Sequence, residues 1–305
     1  MMIERIEYGG WQNNLLVANE HAELVLTLDI GPRVISYRKP GGANVLKNYA
    51  DHLGRTGESG WVNRGGHRFW LAPESDRSYA PDNSPVKHEV VGEGVVRLVN
   101  ESAPPLHIRK ELTVSLAPDS SMVTLEHRAV NEGSAPASLA TWALTVMTPG
   151  GLELIPLPPL GEHPGDLQPN RRMVAWPYTD LSDSRWRFGA LLITLRQTGD
   201  GAPAKLGLSH REKWIGYLTR NDLFIKTFEH EEGVEYPDFG CNFETFTDSD
   251  MLEIESLGPL RTLAPGESVA HTERWHLFAD VPEPASLKER ALVEWIEPML
   301  KQIGL

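Results

Sequence analysis

Groups that could bind and transform a polar ligand are concentrated in residues 61–74. The segment contains indole rings, guanidinium groups, an imidazole and a carboxylate, in the order Trp61, Arg64, His67, Arg68, Trp70 and Glu74. Aromatic rings stack on the apolar faces of a sugar ring, and charged groups hydrogen-bond to its hydroxyls. Each residue alone would suit a solvated strand edge, but together they favour a carbohydrate site.

The backbone around these groups is predicted to be a strand that starts after a tight turn. Gly65 and Gly66 permit the close backbone approach of such a turn. In the strand that follows, His67, Phe69 and Leu71 share one face, whereas Arg68 and Trp70 share the other. Pro73 is expected to end the strand and to leave Glu74 just beyond it.

A second group of polar side chains lies in residues 236–260. Strand alternation puts Asn242 and Glu244 on one face of a first strand, and Glu253 and Glu255 on one face of a second. If the two strands form a hairpin, three carboxylates and an amide lie on one surface. Carboxylates that close raise one another's pKa, which suits general acid–base chemistry. The alternative is an exposed hairpin with its carboxylates in water.

Other kinds of chemistry find little support in the sequence. Gly65 and Gly66 lack the spacing of a phosphate-binding loop, and no serine stands in a nucleophile elbow. His271 and His276 have opposite strand parity, which argues against a metal site made with Glu273. We therefore predict a site without a metal or a cofactor.

Composition limits the class of protein. The 305 residues are 40% hydrophobic and 23% charged, with a formal net charge of −13. These values are typical of a globular protein and argue against nucleic acid or an anionic membrane as a partner. The single cysteine, Cys241, excludes an internal disulfide framework. Residues 1–7 contain no apolar core of signal-peptide length, which favours a cytoplasmic protein.

The chain reads as many short strands joined by turns. Alternating segments rich in β-forming residues recur from Leu24 to Phe278, with turns too short for crossover helices. Only residues of about 284–303 show helical spacing, and the proline-rich residues 149–180 read as a long irregular loop. We predict an all-β, antiparallel sandwich, one domain over residues 1–305 with a short C-terminal helix.

Several segments together resemble the galactose-mutarotase-like β-supersandwich superfamily, and within it the DUF4380-type branch. The segments that carry the resemblance are residues 26–34, 65–74, 251–260, 263–268 and 272–275. The resemblance extends over roughly residues 5–280 and implies the supersandwich fold.

The resemblance also implies an activity and roles for some residues. Enzymes of this superfamily that interconvert sugar anomers use a glutamate as general base and a histidine as acid. By this resemblance His67 would be the histidine and Glu244 or Glu255 the base, whereas the second histidine of the motif has no clear counterpart. We assign six further residues to substrate binding: Arg64, Arg68, Trp70, Glu74, Asn242 and Glu253.

Three functions remain open at this point. The first is an aldose 1-epimerase-like isomerase, and the second a carbohydrate-binding protein that does no chemistry. The third is a polysaccharide lyase or hydrolase on the same fold. In each case the partner is a sugar or an oligosaccharide, and Arg64, Arg68 and Lys226 leave an anionic sugar open. The sequence leaves the oligomeric state open.

Overall fold

A computed structural model of the chain describes residues 1–101 and 107–305. The strands of the described residues are β1 (Met2–Tyr8), β2 (Trp11–Ala18), β3 (Glu23–Thr27), β4 (Arg33–Arg38), β5 (His67–Ala72), β6 (Lys87–Gly92), β7 (Val95–Asn100), β8 (Ile108–Leu116), β9 (Val123–Asn131), β10 (Ala137–Met147), β11 (Leu152–Pro156), β12 (Met173–Ala175), β13 (Trp186–Phe188), β14 (Leu192–Arg196), β15 (Ala204–Leu208), β16 (Trp214–Thr219), β17 (Asp222–Phe228), β18 (Phe243–Thr247), β19 (Leu252–Leu257), β20 (Arg261–Leu263) and β21 (Ser268–Phe278).

These strands form two antiparallel sheets. The first has the order β1-β2-β3-β4-β5-β10-β19-β18-β15-β12, with β20 paired to β10. The second has the order β13-β14-β11-β16-β17-β21-β9-β8-β7-β6. The predicted all-β antiparallel architecture is confirmed.

The two sheets bury a shared apolar core between them. From the first sheet it takes inward-facing side chains such as Leu206, Phe243 and Ile254, and from the second Leu125, Phe224 and Trp275. Because side chains alternate along a strand, the residues between these inward positions face away from the core. The first sheet therefore presents a second, outward face on which polar side chains can be placed.

Helical structure in the described residues is short. A 3-10 turn covers Ala50–His52, and the helical turn α1 (Pro237–Gly240) has left-handed backbone angles at Asp238 and Phe239. The helix α2 (Glu289–Gln302) packs Leu292, Ile296 and Met299 against apolar residues of the second sheet. It agrees with the C-terminal helix predicted for residues of about 284–303. No helix among the described residues is long and apolar enough to cross a membrane.

Several strands were not predicted from the sequence. The N-terminal strands β1 and β2 carry polar residues on both faces, so their pattern is weak. The strands β11 and β12 lie within residues 149–180, which the prolines suggested to be an irregular loop. β11 is fully buried and lacks the alternation of a half-buried strand. β12 has only three residues, too few to show a period.

Candidate functional site

A cavity of about 590 Å³ opens on the outward face of the first sheet. Its walls are mainly aromatic, and carboxylates and cations lie among the rings. The lining includes Trp61, Arg68, Trp70, Glu74, Tyr79, Trp142, Trp176, Tyr178, Lys205, Phe246, Glu253 and Glu255. Both polar segments predicted from the sequence contribute to it.

Strand register brings the two segments together. β10 lies between β5 and β19, and its Leu144 is opposite Arg68 on one side and Glu255 on the other. Residues that face one another across antiparallel strands project their side chains to the same face of the sheet. β18 continues the row, since Glu244 is opposite Glu255. The predicted hairpin of β18 and β19, with its three carboxylates on one face, is confirmed.

The turn before β5 depends on two glycines. Gly65 and Gly66 have φ angles of 76° and 69°. A Cβ atom at Gly65 would lie 2.0 Å from the carbonyl oxygen of Lys47, and one at Gly66 would lie 2.4 Å from that of Val34. Only glycine fits such positions without displacing backbone, so the predicted tight approach is confirmed.

Arg68 forms one charged pair of the cavity. Its Nη1 donates a hydrogen bond of 2.7 Å to Glu253 Oε1, and both side chains are almost fully buried. The guanidinium carbon also lies 4.5 Å from the ring centre of Trp70 and 5.4 Å from that of Trp61. Stacking and pairing together hold the guanidinium group flat against the cavity wall.

Lys205 on β15 forms the second charged group. Its Nζ lies 2.7 Å from Glu244 Oε2 and 3.0 Å from Glu255 Oε2. Trp142 Nε1 donates a further hydrogen bond of 2.8 Å to Glu255 Oε2. The ammonium group is also 4.7 Å from the ring centre of Trp142 and 4.9 Å from that of Trp176.

The buried triad of Lys205, Glu244 and Glu255 has perturbed proton affinities. Burial raises the pKa of Glu244 well above its usual value, although the Lys205 ammonium opposes this shift. Burial likewise raises the pKa of Glu255. The nearby Lys205 acts to lower this pKa, and the Glu253 carboxylate acts to raise it. Burial acts to lower the pKa of Lys205, but Glu255 and Glu244 outweigh it and raise that pKa. The triad therefore keeps its lysine charged and favours a carboxyl group that can take up a proton.

Tyrosines lie at the mouth of the cavity. Glu74 Oε1 accepts a hydrogen bond of 2.5 Å from the hydroxyl of Tyr79. Burial and this hydrogen bond raise the pKa of Tyr79 to about 12. Burial also raises the pKa of Tyr178 to about 12. Both hydroxyls stay protonated at neutral pH. The Tyr178 hydroxyl can donate a hydrogen bond to a ligand, whereas the Tyr79 hydroxyl donates its proton to Glu74 and can accept a hydrogen bond from a ligand.

His67 does not lie in the cavity, so its predicted place beside the glutamates is wrong. It occupies the inward face of β5, is fully buried, and contacts Thr145 Oγ1 at 2.9 Å and His127 Nε2 at 2.7 Å. The sheet separates it from Glu244, Glu253 and Glu255, which face outward. The alternation of β5 already assigned His67 and Arg68 to opposite faces, and only the Arg68 face contributes to the cavity.

Two of the predicted binding residues also lie elsewhere. Arg64 is fully buried and pairs with Glu58 and Asn83. Asn242 is fully buried, and its side chain bonds to the backbone nitrogen and oxygen of His210. Neither side chain lines the cavity. Four predicted binding residues do line it: Arg68, Trp70, Glu74 and Glu253.

The inward face carries a polar network of its own. His67, His127 and Glu273 offer ligand atoms that lie within 4.8 Å of one another and could hold a metal ion. These groups are already engaged, since the two imidazoles are hydrogen-bonded together and Glu273 pairs with Lys226 at 3.0 Å. Ser256 Oγ donates a hydrogen bond of 2.6 Å to Glu273, which fastens the inner side of β19.

The sequence prediction missed Lys205 and five aromatic residues of the cavity, namely Tyr79, Trp142, Trp176, Tyr178 and Phe246. Lys205 stands alone among apolar neighbours in residues 203–208, which is the pattern of a buried cation. Trp142 lies in one of the alternating segments that were predicted to be strands, but alternation does not show which face of a strand lines a cavity. Trp176 and Tyr178 belong to the proline-rich segment that was read as irregular.

Comparisons with known proteins identify the fold but find no relative by sequence. No family model matches the chain, and no curated protein matches its sequence. Among solved structures it is similar to a galactose mutarotase-like protein from Lactobacillus casei, at a TM-score of 0.58 and 9% identity over 87% of this chain and 100% of that one. It is also similar to a "putative aldose 1-epimerase" from Escherichia coli K12, at a TM-score of 0.56 and 12% identity over 87% of this chain and 98% of that one.

A third structure, described in the same words and from Klebsiella pneumoniae, has a TM-score of 0.58 and 9% identity over 98% of this chain and 86% of that one. The chain therefore has the galactose mutarotase-like fold, as predicted. Identities this low establish the fold and not the activity. The DUF4380-type branch stays a prediction.

Proposed function

We propose that the protein binds a sugar ring in the aromatic cavity and interconverts its anomers, with Glu255 as the group that moves the proton. The observation that carries this proposal is the position of Glu255 among indole rings, beside a charged lysine. Rings bind the apolar faces of a sugar, and a carboxyl group of raised pKa exchanges protons near neutrality. The mutarotase-like fold supports a carbohydrate ligand by analogy only.

The proposed reaction needs one group to remove a proton and another to stabilise the opened ring. Glu255 takes the proton of the anomeric hydroxyl while the bond between C1 and the ring oxygen breaks. The electron pair of that bond moves to the ring oxygen, which then takes up a proton, and closure on the other face of the carbonyl gives the other anomer. Lys205, 3.0 Å from Glu255, is placed to stabilise the negative charge on the ring oxygen.

This arrangement replaces the predicted imidazole with an ammonium group. Because its pKa is raised by Glu255 and Glu244, Lys205 stays charged and acts by hydrogen bonding and charge. The proton for the ring oxygen then returns from the Glu255 carboxyl group or from water. The mechanism thus depends on one titrating carboxyl group.

The charges of the cavity favour an uncharged ring. Both of its lining cations are already paired, Arg68 with Glu253 and Lys205 with Glu255. Glu74 adds a carboxylate at the mouth. Two of the cations that had left an anionic sugar open, Arg64 and Lys226, are buried outside the cavity. A phosphate or carboxylate on the bound ring would meet more negative than positive charge.

The second candidate is a carbohydrate-binding protein that does no chemistry. One observation favours it, since no histidine is among the described residues that line the cavity. In that case Lys205 and its carboxylates would only shape the cavity and bind hydroxyls.

Anomer exchange and binding measured on the same sugars separate the two candidates. NMR exchange spectroscopy and polarimetry would be run on a panel of neutral aldoses, with isothermal titration calorimetry on the same panel. Exchange faster than the buffer-catalysed rate on any sugar supports the isomerase. Binding without exchange supports the second candidate, and neither binding nor exchange would refute both.

A further inference from the structure

A cluster of positive charge lies outside the sugar cavity, at a separate cavity of about 460 Å³. Arg171, Arg172, Arg211 and His230 line it, and Glu232 is the one carboxylate among its lining residues. Three guanidinium groups against one carboxylate leave a local excess of positive charge in a chain whose net charge is −13. Such a reversal of sign marks a place where an anion is favoured.

The guanidinium groups have donors left for a ligand, although Arg211 Nη2 pairs with Glu232 at 3.2 Å. Arg172 Nη1 bonds at 3.2 Å to the backbone oxygen of Phe239, and no carboxylate partner is recorded for it among the described residues. Arg171 bonds through Nη2 to the backbone oxygens of Pro158 and Ala190. An arginine side chain carries five N–H donors, so several donors of Arg171 and of Arg172 remain for a ligand.

His230 adds an independent observation. Its side chain is only 10% exposed, and its buried Nδ1 has no hydrogen-bond partner in the described structure. Its ring stacks on Tyr236 at 5.2 Å, and its Nε2 lies 3.8 Å from Glu232. A nearly buried imidazole with an unused nitrogen beside arginines is suited to an anionic partner.

The cluster and the sugar cavity are joined by one short strand. Ser209 donates its backbone N–H to Arg172, and Trp176 donates its own to Lys205, so both flanks of β12 pair with the β15 side of the sheet. Arg172 and Trp176 are four positions apart and therefore share a face, at a separation of about 13 Å for an extended chain. Trp176 lines the sugar cavity, so Arg172 lies on the same outward face.

We propose that Arg171, Arg172, Arg211 and His230 form a binding site for an oxyanion, that is, a phosphate, a sulfate or a carboxylate. The site is separate from the sugar cavity, and its existence does not depend on the proposed sugar chemistry. Planar guanidinium groups bind such anions through paired hydrogen bonds. The anion is either free in solution or an acidic group on a saccharide whose neutral ring occupies the cavity.

The first experiment uses inorganic phosphate as the probe and the full chain as the protein. The side-chain resonances of His230, identified with the variant His230→Gln, would be followed by NMR during titration with phosphate at constant ionic strength. A saturable shift, together with a rise in the pKa of His230 as an anion stabilises its charged form, is the expected result.

Two variants test whether the arginines bind the anion. Arg172→Gln and Arg211→Gln alter exposed side chains, whereas Arg171 is left unchanged because it fastens the loop through two backbone oxygens. Each variant should weaken phosphate binding about tenfold, the usual effect of losing one charge-assisted hydrogen bond. The matched control is Arg97→Gln, another exposed arginine paired with Glu89, and it should bind phosphate like the wild type. A shift that does not saturate, or one that the three variants change equally, would overturn the proposal.

Calorimetry then distinguishes the sources of the anion. An acidic oligosaccharide that binds more tightly than its neutral counterpart, with the difference lost in Arg172→Gln, identifies a saccharide acid as the anion. Equal affinities, together with saturable phosphate binding, identify a free anion. Both results support the oxyanion site, and failure of the neutral sugar to bind would count against the sugar proposal alone.

Discussion

Glu244 and Glu255 face one another directly across β18 and β19, and a single ammonium group, that of Lys205, binds both carboxylates. Two carboxylates opposite one another on a sheet repel, more so when they are buried. One cation between them offsets that repulsion and fixes the position of Glu255. The triad is therefore both the structural centre of the cavity and the part whose protonation can change.

Replacement of the shared cation should destabilise the protein in a pH-dependent way. We expect Lys205→Met to lower the free energy of unfolding by about 3–5 kcal/mol at pH 8, as for other buried pairs that lose one partner. Without the ammonium, the folded-state pKa values of Glu244 and Glu255 rise further above those of the unfolded chain. A carboxyl group whose pKa is raised by folding contributes its full stabilisation below its pKa in the unfolded chain. That contribution is lost as pH rises through its pKa in the folded state.

The loss in free energy of unfolding of Lys205→Met relative to the wild type should therefore be smaller at pH 5 than at pH 8. Urea unfolding at both pH values measures it. The control is Lys301→Met, which removes an exposed helical pair with Glu297 and should change stability by less than about 1 kcal/mol. A deficit equal at the two pH values would show that the carboxylates are not coupled through Lys205.

Strand alternation was sufficient to predict much of the site. It separated Arg68 and Trp70 from His67 within β5, and it put Glu253 and Glu255 on one face of β19. The turn between β18 and β19 is short, so their pairing could also be inferred. The alternation of residues along a strand and the length of a turn are properties of a single segment. Both can therefore be predicted from the sequence alone.

The part of the site that was predicted wrongly depends on relations between distant segments. Alternation shows that a strand has two faces but not which one meets the core. His67 was grouped with the glutamates because an imidazole suits acid–base chemistry, whereas the sheet directs it to His127 on the opposite sheet. Lys205 comes beside Glu255 only through the pairing of β15 with β18 and of β18 with β19, which no local pattern reveals.

The aromatic wall should contribute most of the affinity for a sugar. Trp176 is partly exposed and lies over Lys205, so Trp176→Ala removes stacking area with little effect on the core. We expect sugar binding to weaken by about tenfold, measured by calorimetry. Phe188→Ala, an exposed aromatic residue on β13 of the other sheet, is the control and should leave affinity unchanged. Equal affinity of Trp176→Ala and wild type would place the ligand elsewhere.

The buried histidines should make the protein sensitive to acid. Burial lowers the pKa of His127 to about 4 and that of His271 to about 3, and it lowers the pKa of His67 well below its usual value. These imidazoles are neutral in the fold but take up protons in the unfolded chain below about pH 6.5. The contribution of these neutral histidines to stability is thus fully present above pH 6.5. It is lost as pH falls towards their pKa values in the folded state.

Replacement of one of these histidines should reduce that dependence. In His127→Gln the loss of stability between pH 6.5 and pH 4 should be smaller by about 1.4 kcal/mol per pH unit, even though the variant is less stable at pH 7. Denaturant unfolding across this range measures the slope. The control is His88→Gln on β6, an exposed position, which should keep the slope of the wild type. An unaltered slope in His127→Gln would show that folding does not lower the pKa of His127.

Substitution of the proposed general base gives the sharpest test of the cavity. Glu255→Gln keeps an oxygen for the bonds from Trp142 and Lys205, and it leaves Lys205 with Glu244 as its counterion. Folding should therefore be almost unaffected, whereas anomer exchange should fall by about 10²–10⁴-fold because the group can no longer accept a proton. NMR exchange spectroscopy on the best sugar of the panel measures the rate.

The matched control is Glu253→Gln, on the same strand and the same face as Glu255. Glu253 pairs with Arg68, and Phe246 of β18 lies between Glu253 and Lys205 across the sheet. The loss of Glu253 should therefore weaken sugar binding more than it slows exchange of the bound sugar. Wild-type exchange in Glu255→Gln would remove Glu255 from the mechanism. If the two variants instead lost binding and exchange in the same proportion, both carboxylates would serve only to hold the sugar.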